Sequence, residues 1–184
     1  MKKVKVTQYD LELDELKHPK LVEVKKITFC QKEERFGYVS VAELLCKCYK
    51  LAEKAEEYVY AVAYTAGGGL LGVFEVAHGY GSGARINFRE LMQRLLLVGA
   101  NGFVLAHNHP GGNLYPSEAD MEGCGAAIAM GDFHGIQCLD FLIIGRDFES
   151  GERLSLSFKK EKLMEKALEE ISFETAPENL TAGC

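Results

Sequence analysis

No run of roughly 18 apolar residues occurs in the 184-residue chain, so no transmembrane helix is expected. No apolar stretch follows Met1-Lys2-Lys3-Val4-Lys5, so a secretory signal is not expected and a cytoplasmic location is. Excess positive charge is also missing: the formal net charge is −6. Nonspecific nucleic-acid binding rests on phosphate neutralisation, so nucleic acid is not a favoured partner, though a local basic patch would still serve one. There is no internal repeat and no low-complexity tract. The six cysteines, Cys30, Cys46, Cys48, Cys124, Cys138 and Cys184, show no dense spacing. They read as structural or incidental thiols rather than as a disulfide framework. Cys46-Lys47-Cys48 has no second cysteine pair to complete a metal site. It also falls in a helical pattern, where residues i and i+2 point to different faces.

What is present describes a globular domain large enough for a real core, with 47% hydrophobic and 26% charged residues. Residues 1–37 read as a strand-rich extension packed on the domain, with short strands over 2–8 and 21–29. Residues 38–158 form the main domain. Its first helix starts at Ser40, a suitable N-cap with Glu43 three residues on. A hairpin follows, with strands over 58–64 and 70–78 joined by Gly67-Gly68-Gly69. Next come a helix from Phe88, a buried strand over 102–109, a helix opened by Ser117, and strands over 136–144 and 153–158. Residues 159–184 hold a last amphipathic helix and a flexible tail over 173–184. This order predicts a mixed sheet covered by helices, in an α/β or α+β class.

The chemistry gathers in His107-Asn108-His109-Pro110-Gly111-Gly112-Asn113-Leu114-Tyr115-Pro116-Ser117-Glu118-Ala119-Asp120. His107 and His109 end an apolar strand. Strand side chains alternate, so these two share a face about 7 Å apart and can converge on one ion. Pro110 stops the strand, and Gly111-Gly112 can fold back without steric cost. Asp120 then arrives in the first turn of the next helix as a third ligand. Two nitrogens and one carboxylate leave a fourth position open, which marks a catalytic rather than a structural zinc site. Taken alone, Ser117 and Asp120 are also a capping box, and the two roles are compatible. Glu75, between Phe74 and Val76, reads either as a solvent-facing strand position or as a general base beside the zinc. His18, His78 and His134 read as non-ligands, His134 because it suits the negative end of a helix.

Residues of about 38 to 158 resemble the JAB domain of RadC-like proteins, within the JAMM/MPN metalloprotease group. The signature of that group is an upstream Glu, then His-x-His, seven residues, Ser, two residues and Asp. Here Glu75, His107, His109, Ser117 and Asp120 match it in full. Ala106-His107-Asn108-His109-Pro110-Gly111-Gly112, Phe88-Arg89-Glu90 and Glu75 four residues before Gly79 carry the RadC-like character. The resemblance implies a cytidine-deaminase-like α/β sandwich. It implies zinc on His107, His109 and Asp120, with Glu75 as acid/base and Ser117 stabilising the oxyanion. Two positions depart from the family: His78 stands where an Arg is common, and Phe141 follows Asp140 where a His is common. Residues 1–37 are too short and strand-like for the helix-hairpin-helix module many RadC proteins carry.

Two function classes follow. One is a zinc hydrolase acting on an amide bond of a peptide or protein. The other is a RadC-like binding or scaffold module, associated with DNA repair, that keeps its zinc without robust turnover. A complete ligand set favours the first. A nucleobase deaminase is excluded, because His-x-Glu and Pro-Cys-x-x-Cys are both absent.

Overall fold

The first thirty residues alternate well enough to pair with themselves. In the computed structural model, which describes residues 2–31, 37–79 and 85–174, they form a long antiparallel hairpin of β1 (Lys2–Leu13) and β2 (Pro19–Gln31). The Asp14 carboxylate closes its turn by accepting the amides of Leu16 and His18. Both strands outrun the expected 2–8 and 21–29. Their outer halves are held by the backbone ladder rather than by burial, which leaves Leu13 and Val24 largely exposed.

The first helix, α1 (Tyr38–Tyr49), corrects one expectation. Its N-cap is Gly37, with no side-chain cap, and Ser40 lies inside the first turn, buried. Glu43 pairs instead with Lys47, 3.2 Å away on the next turn. A short 3-10 turn, Leu51–Glu53, leads to β3 (Glu57–Tyr64), which pairs with β4 (Leu70–Gly79). Then follow α2 (Phe88–Leu97), β5 (Gly102–Asn108), α3 (Glu118–His134), β6 (Gln137–Arg146), β7 (Arg153–Ser157) and α4 (Leu163–Glu174). Phe173 and Glu174 therefore close a helix, and the remainder of the expected tail lies outside the described residues. Among the described residues no helix is long and apolar enough to cross a membrane.

The seven strands form one mixed sheet in the order β2-β1-β4-β3-β5-β6-β7. Pairing is parallel for β1–β4 and β5–β6 and antiparallel elsewhere. Helices cover both faces, so the central β5 is buried along its whole length and reads as a continuous apolar run. On one face, Phe74, Phe103, Leu105 and Phe141 pack against Leu91 and Leu95 of α2, Cys124 and Ala127 of α3 and Ala167 of α4. On the other, Tyr60, Val62, Val104 and Leu142 pack against Val41, Leu44 and Leu45 of α1. Truncating a fully buried residue such as Leu105 to Ala would cost about 2–5 kcal/mol. Gly125 lets α4 lie close on α3, since a Cβ there would strike the Ala167 carbonyl. The C-terminal ends of β5 and β6 meet the start of α3, and the candidate site forms there.

Candidate metal centre

His107 is the next-to-last residue of β5 and His109 follows its end. Strand alternation sends His107 to the α2–α3 face, where its ring packs 5.3 Å from that of Phe141. After Pro110 the chain turns back through Gly112, which has φ +79°, and a Cβ there would strike the Arg146 carbonyl and the Phe148 ring. A side chain would be excluded on both counts, so glycine is required for the loop to fold against β6. The loop returns Asn113 to His109, whose Nδ1 lies 3.1 Å from the Asn113 carbonyl. That contact places the ring proton on Nδ1 and leaves the Nε2 lone pair free for a cation.

Ser117 then caps α3. Its hydroxyl accepts the Asp120 amide at 3.2 Å, while Asp120 Oδ2 accepts the Ser117 amide and hydroxyl, both at 2.7 Å. The capping box therefore fixes the Asp120 carboxylate in space. Oδ1 lies 2.8 Å from His107 Nε2 and Oδ2 lies 3.3 Å from His109 Nε2. The two Nε2 atoms are 3.0 Å apart. His107 and Asp120 are buried, and His109 is half-buried.

Two imidazole nitrogens this close, both directed at one carboxylate, form a donor set suited to a shared cation. Burial pushes the Asp120 carboxyl up, but hydrogen bonds from His107, His109 and Ser117 more than offset it and hold the group well below the usual carboxylate range. The hydrogen bond to Asp120 correspondingly raises His109. A metal fits the same donors. Ligands bound to zinc at about 2.0–2.1 Å with tetrahedral angles lie roughly 3.3 Å apart, only a few tenths of an ångström more than two of these edges. The three donor atoms all fall within 4.8 Å of one another, and the set of two imidazoles and a carboxylate suits a divalent transition metal.

The structure does not bring Glu75 to this cluster. Glu75 pairs across the hairpin with Tyr60, and Tyr60 belongs to the opposite face of the sheet. Its carboxylate accepts the Tyr60 hydroxyl at 2.9 Å, and the residue is exposed. Alternation is the cause: Phe74 and Val76 point toward α2 and α3, so Glu75 between them points away. The carboxylate that does reach the site is Glu57, at the start of β3, with Oε1 4.0 Å from His107 Nε2. Glu57 was missed because it stands at a strand end with no motif around it. Its spacing from Val59, Ala61 and Ala63, which share the α2–α3 face, is the signal that finds it.

His78 is likewise remote from the cluster, stacked on the Tyr58 ring and paired with Glu56. His134 ends α3 with Nδ1 2.8 Å from the Met130 carbonyl. Phe141, the departure from the common Asp-His, supplies an apolar wall beside His107, and the His107 Nδ1 has no hydrogen-bond partner among the described residues. Asp140 is a structural brace, its carboxylate accepting the Ser157 hydroxyl at 2.6 Å and the amides of Phe141 and Lys159. A cleft of about 820 Å³ opens over the cluster, lined by Glu57, Phe88, His107, His109, Asp120 and Phe141 among others.

A family model described as a RadC-like JAB domain matches residues 38–163. The chain is 30% identical over 119 residues to a UPF0758 protein of Finegoldia magna, covering 65% of this chain and 52% of that relative. It is 27% identical over 138 residues to a UPF0758 protein of Carboxydothermus hydrogenoformans, covering 75% and 55% of the two chains. A UPF0758 protein of Latilactobacillus sakei is 30% identical over 128 residues, with 68% and 55% covered. The chain thus spans about half the length of the curated relatives it matches. The mixed sheet flanked by helices is consistent with a JAB/MPN-like fold.

Proposed function

The chain belongs to the RadC-like JAB domain family, and on that premise we propose that it is a zinc-dependent hydrolase of the JAMM type, a peptidase or isopeptidase acting on an amide bond of a peptide or protein. One observation carries the assignment: two imidazole Nε2 atoms and a buried carboxylate converge within 4.8 Å, with a fourth group, Glu57, just beyond them. His107, His109 and Asp120 would hold the zinc. Bound there, zinc would act as a Lewis acid that acidifies water and polarises a carbonyl.

The chain's own groups do the rest. Glu57 takes the role first sought in Glu75. Its Oε1 is near enough for the carboxylate to accept a proton from an attacking water and deliver it to the leaving amine. Asn113 orients His109 through its carbonyl, and Ser117 orients Asp120. Ser117 also lines the cleft, and its hydroxyl, once turned from Asp120, would donate to the oxyanion. Phe141 and Phe88 give the cleft two apolar walls against which a substrate side chain would pack.

The test is elemental analysis of protein purified without added metal, followed by peptide-library hydrolysis with and without a chelator. About one zinc per chain and chelator-sensitive cleavage are expected. Protein that neither contains zinc nor takes it up would overturn the assignment. Protein that holds zinc but cleaves no amide would favour a binding module.

A further inference from the structure

The middle residue of His107-Asn108-His109 points away from the metal ligands, yet it is as deeply buried as His107, at 1% exposure. Its side chain uses both ends of its amide. The oxygen accepts the Tyr58 amide at 2.9 Å. The nitrogen donates to the Glu56 carbonyl at 2.9 Å and the Lys54 carbonyl at 3.4 Å. Glu56 and Tyr58 are the two neighbours of Glu57.

Backbone pairing between β3 and β5 ends at Val59 opposite His107. Beyond that pair β5 turns to its other neighbour, with the His109 amide bonding the Ile144 carbonyl. On that side the start of β3 meets the Asn108 side chain, whose carboxamide carries the same donor and acceptor as a peptide unit. It continues the ladder by one step and grips the chain on both sides of Glu57. Aspartate cannot copy this, because it has no proton to give the two carbonyls.

We propose that Asn108 is a positioning residue that sets the Glu57 carboxylate against the metal centre, so that one three-residue motif supplies two ligands from one face of β5 and the alignment of the base from the other. This rests on the assignment of Glu57 and the zinc ligands above. Positioning groups around metal sites are worth about 10- to 100-fold in affinity or activity.

The test needs no substrate. A hydroxamic acid chelates zinc as its anion, and a neighbouring carboxylate takes up the proton it releases, so acetohydroxamate affinity reports on Glu57. Calorimetry on the zinc-loaded full chain would compare wild type with Asn108→Asp, Asn108→Ser, Glu57→Gln and the double variant Asn108→Ser/Glu57→Gln. Asn108→Ser removes the clamp without burying a charge and serves if Asn108→Asp fails to fold. Each folded Asn108 variant should keep its zinc and bind acetohydroxamate about 10-fold more weakly, with no further loss in the double variant. General loosening of the fold would instead weaken Glu57→Gln as well, and additive losses would overturn the proposal. So would unchanged affinity in Asn108→Ser, or loss of zinc from it, which would place its action on the histidines. Wild type that binds no zinc would overturn the metal assignment and this proposal together. Wild type that binds zinc and acetohydroxamate beside an unaffected Asn108→Ser would overturn this proposal alone.

Discussion

Glu57 and Glu75 sit on the two adjacent strands of one hairpin, and each is a candidate for a carboxylate beside the cluster. Glu57 stands beside His107, half-buried at the edge of the α2–α3 face. Glu75 faces the other side of the sheet and bonds a tyrosine hydroxyl at the margin of the α1 core. Motif spacing favoured Glu75, while strand parity places Glu57. The register shift between Val59 and Tyr60 puts an extra residue in β4, so Val76 and Ala77 both pack on the α2–α3 face, while β3 keeps its alternation from Tyr58 to Tyr64. In a sheet covered on both faces, a one-residue difference in parity moves a side chain from one core to the other. Chemistry-bearing residues must therefore be sorted by face before they are sorted by motif.

The largest effects should come from the proposed ligands that anchor one side of this comparison. His107→Ala and Asp120→Ala should each reduce zinc from about one per chain to near none, measured by elemental analysis after dialysis. The double variant should be no worse than either single change. Full zinc in both would show that the cluster is not the metal site.

Next is the base. Glu57→Gln keeps size and hydrogen bonding but accepts no proton in the working pH range. Zinc should stay, while hydrolysis of any amide substrate found should fall roughly 10²- to 10⁴-fold. If turnover is unchanged, the parity assignment is wrong.

Ser117→Ala should act more gently. Losing an N-cap hydroxyl costs about 1 kcal/mol. Because that hydroxyl also donates to Asp120, zinc affinity should fall about 10-fold or more, read by competition with a chromophoric chelator. A melting shift without any change in zinc affinity would separate the cap from the ligand.

Glu75→Gln should do least. The residue is exposed and, among the described residues, its carboxylate accepts the Tyr60 hydroxyl alone, so stability should change by no more than about 0.5 kcal/mol. Zinc content and rate should match wild type. A loss of rate comparable to that of Glu57→Gln would reverse the comparison.

Much of the architecture was legible in the sequence. The β3–β4 hairpin, the buried β5 and the capped start of α3 each carry a strong local signal, respectively a triple glycine, a continuous apolar run and a Ser-x-x-Asp. The convergence of His107, His109 and Asp120 was legible for the same reason: alternation and a helix first turn are short-range geometry. What escaped depends on longer-range pairing. Ser40 looked like a cap, but the N-cap lies earlier, at Gly37, a residue with no side chain to advertise the role. Glu57 became a site residue only once β3 was paired beside β5, and Asn108 only once that ladder ran out. Neither is visible from residues close in sequence.

Asp120 serves two masters, and its double duty has a thermodynamic consequence. The carboxylate that closes the first turn of α3 is the one that would bind the metal, so metal occupancy and the opening of that turn are linked equilibria. Anything that binds only the folded turn must suppress its fraying in proportion to occupancy. Amide hydrogen exchange in the first turn of α3, at Asp120 above all, would thus act as a local occupancy gauge. It would slow as zinc is added while the exposed β1–β2 turn, which shares no atom with the site, kept its pace.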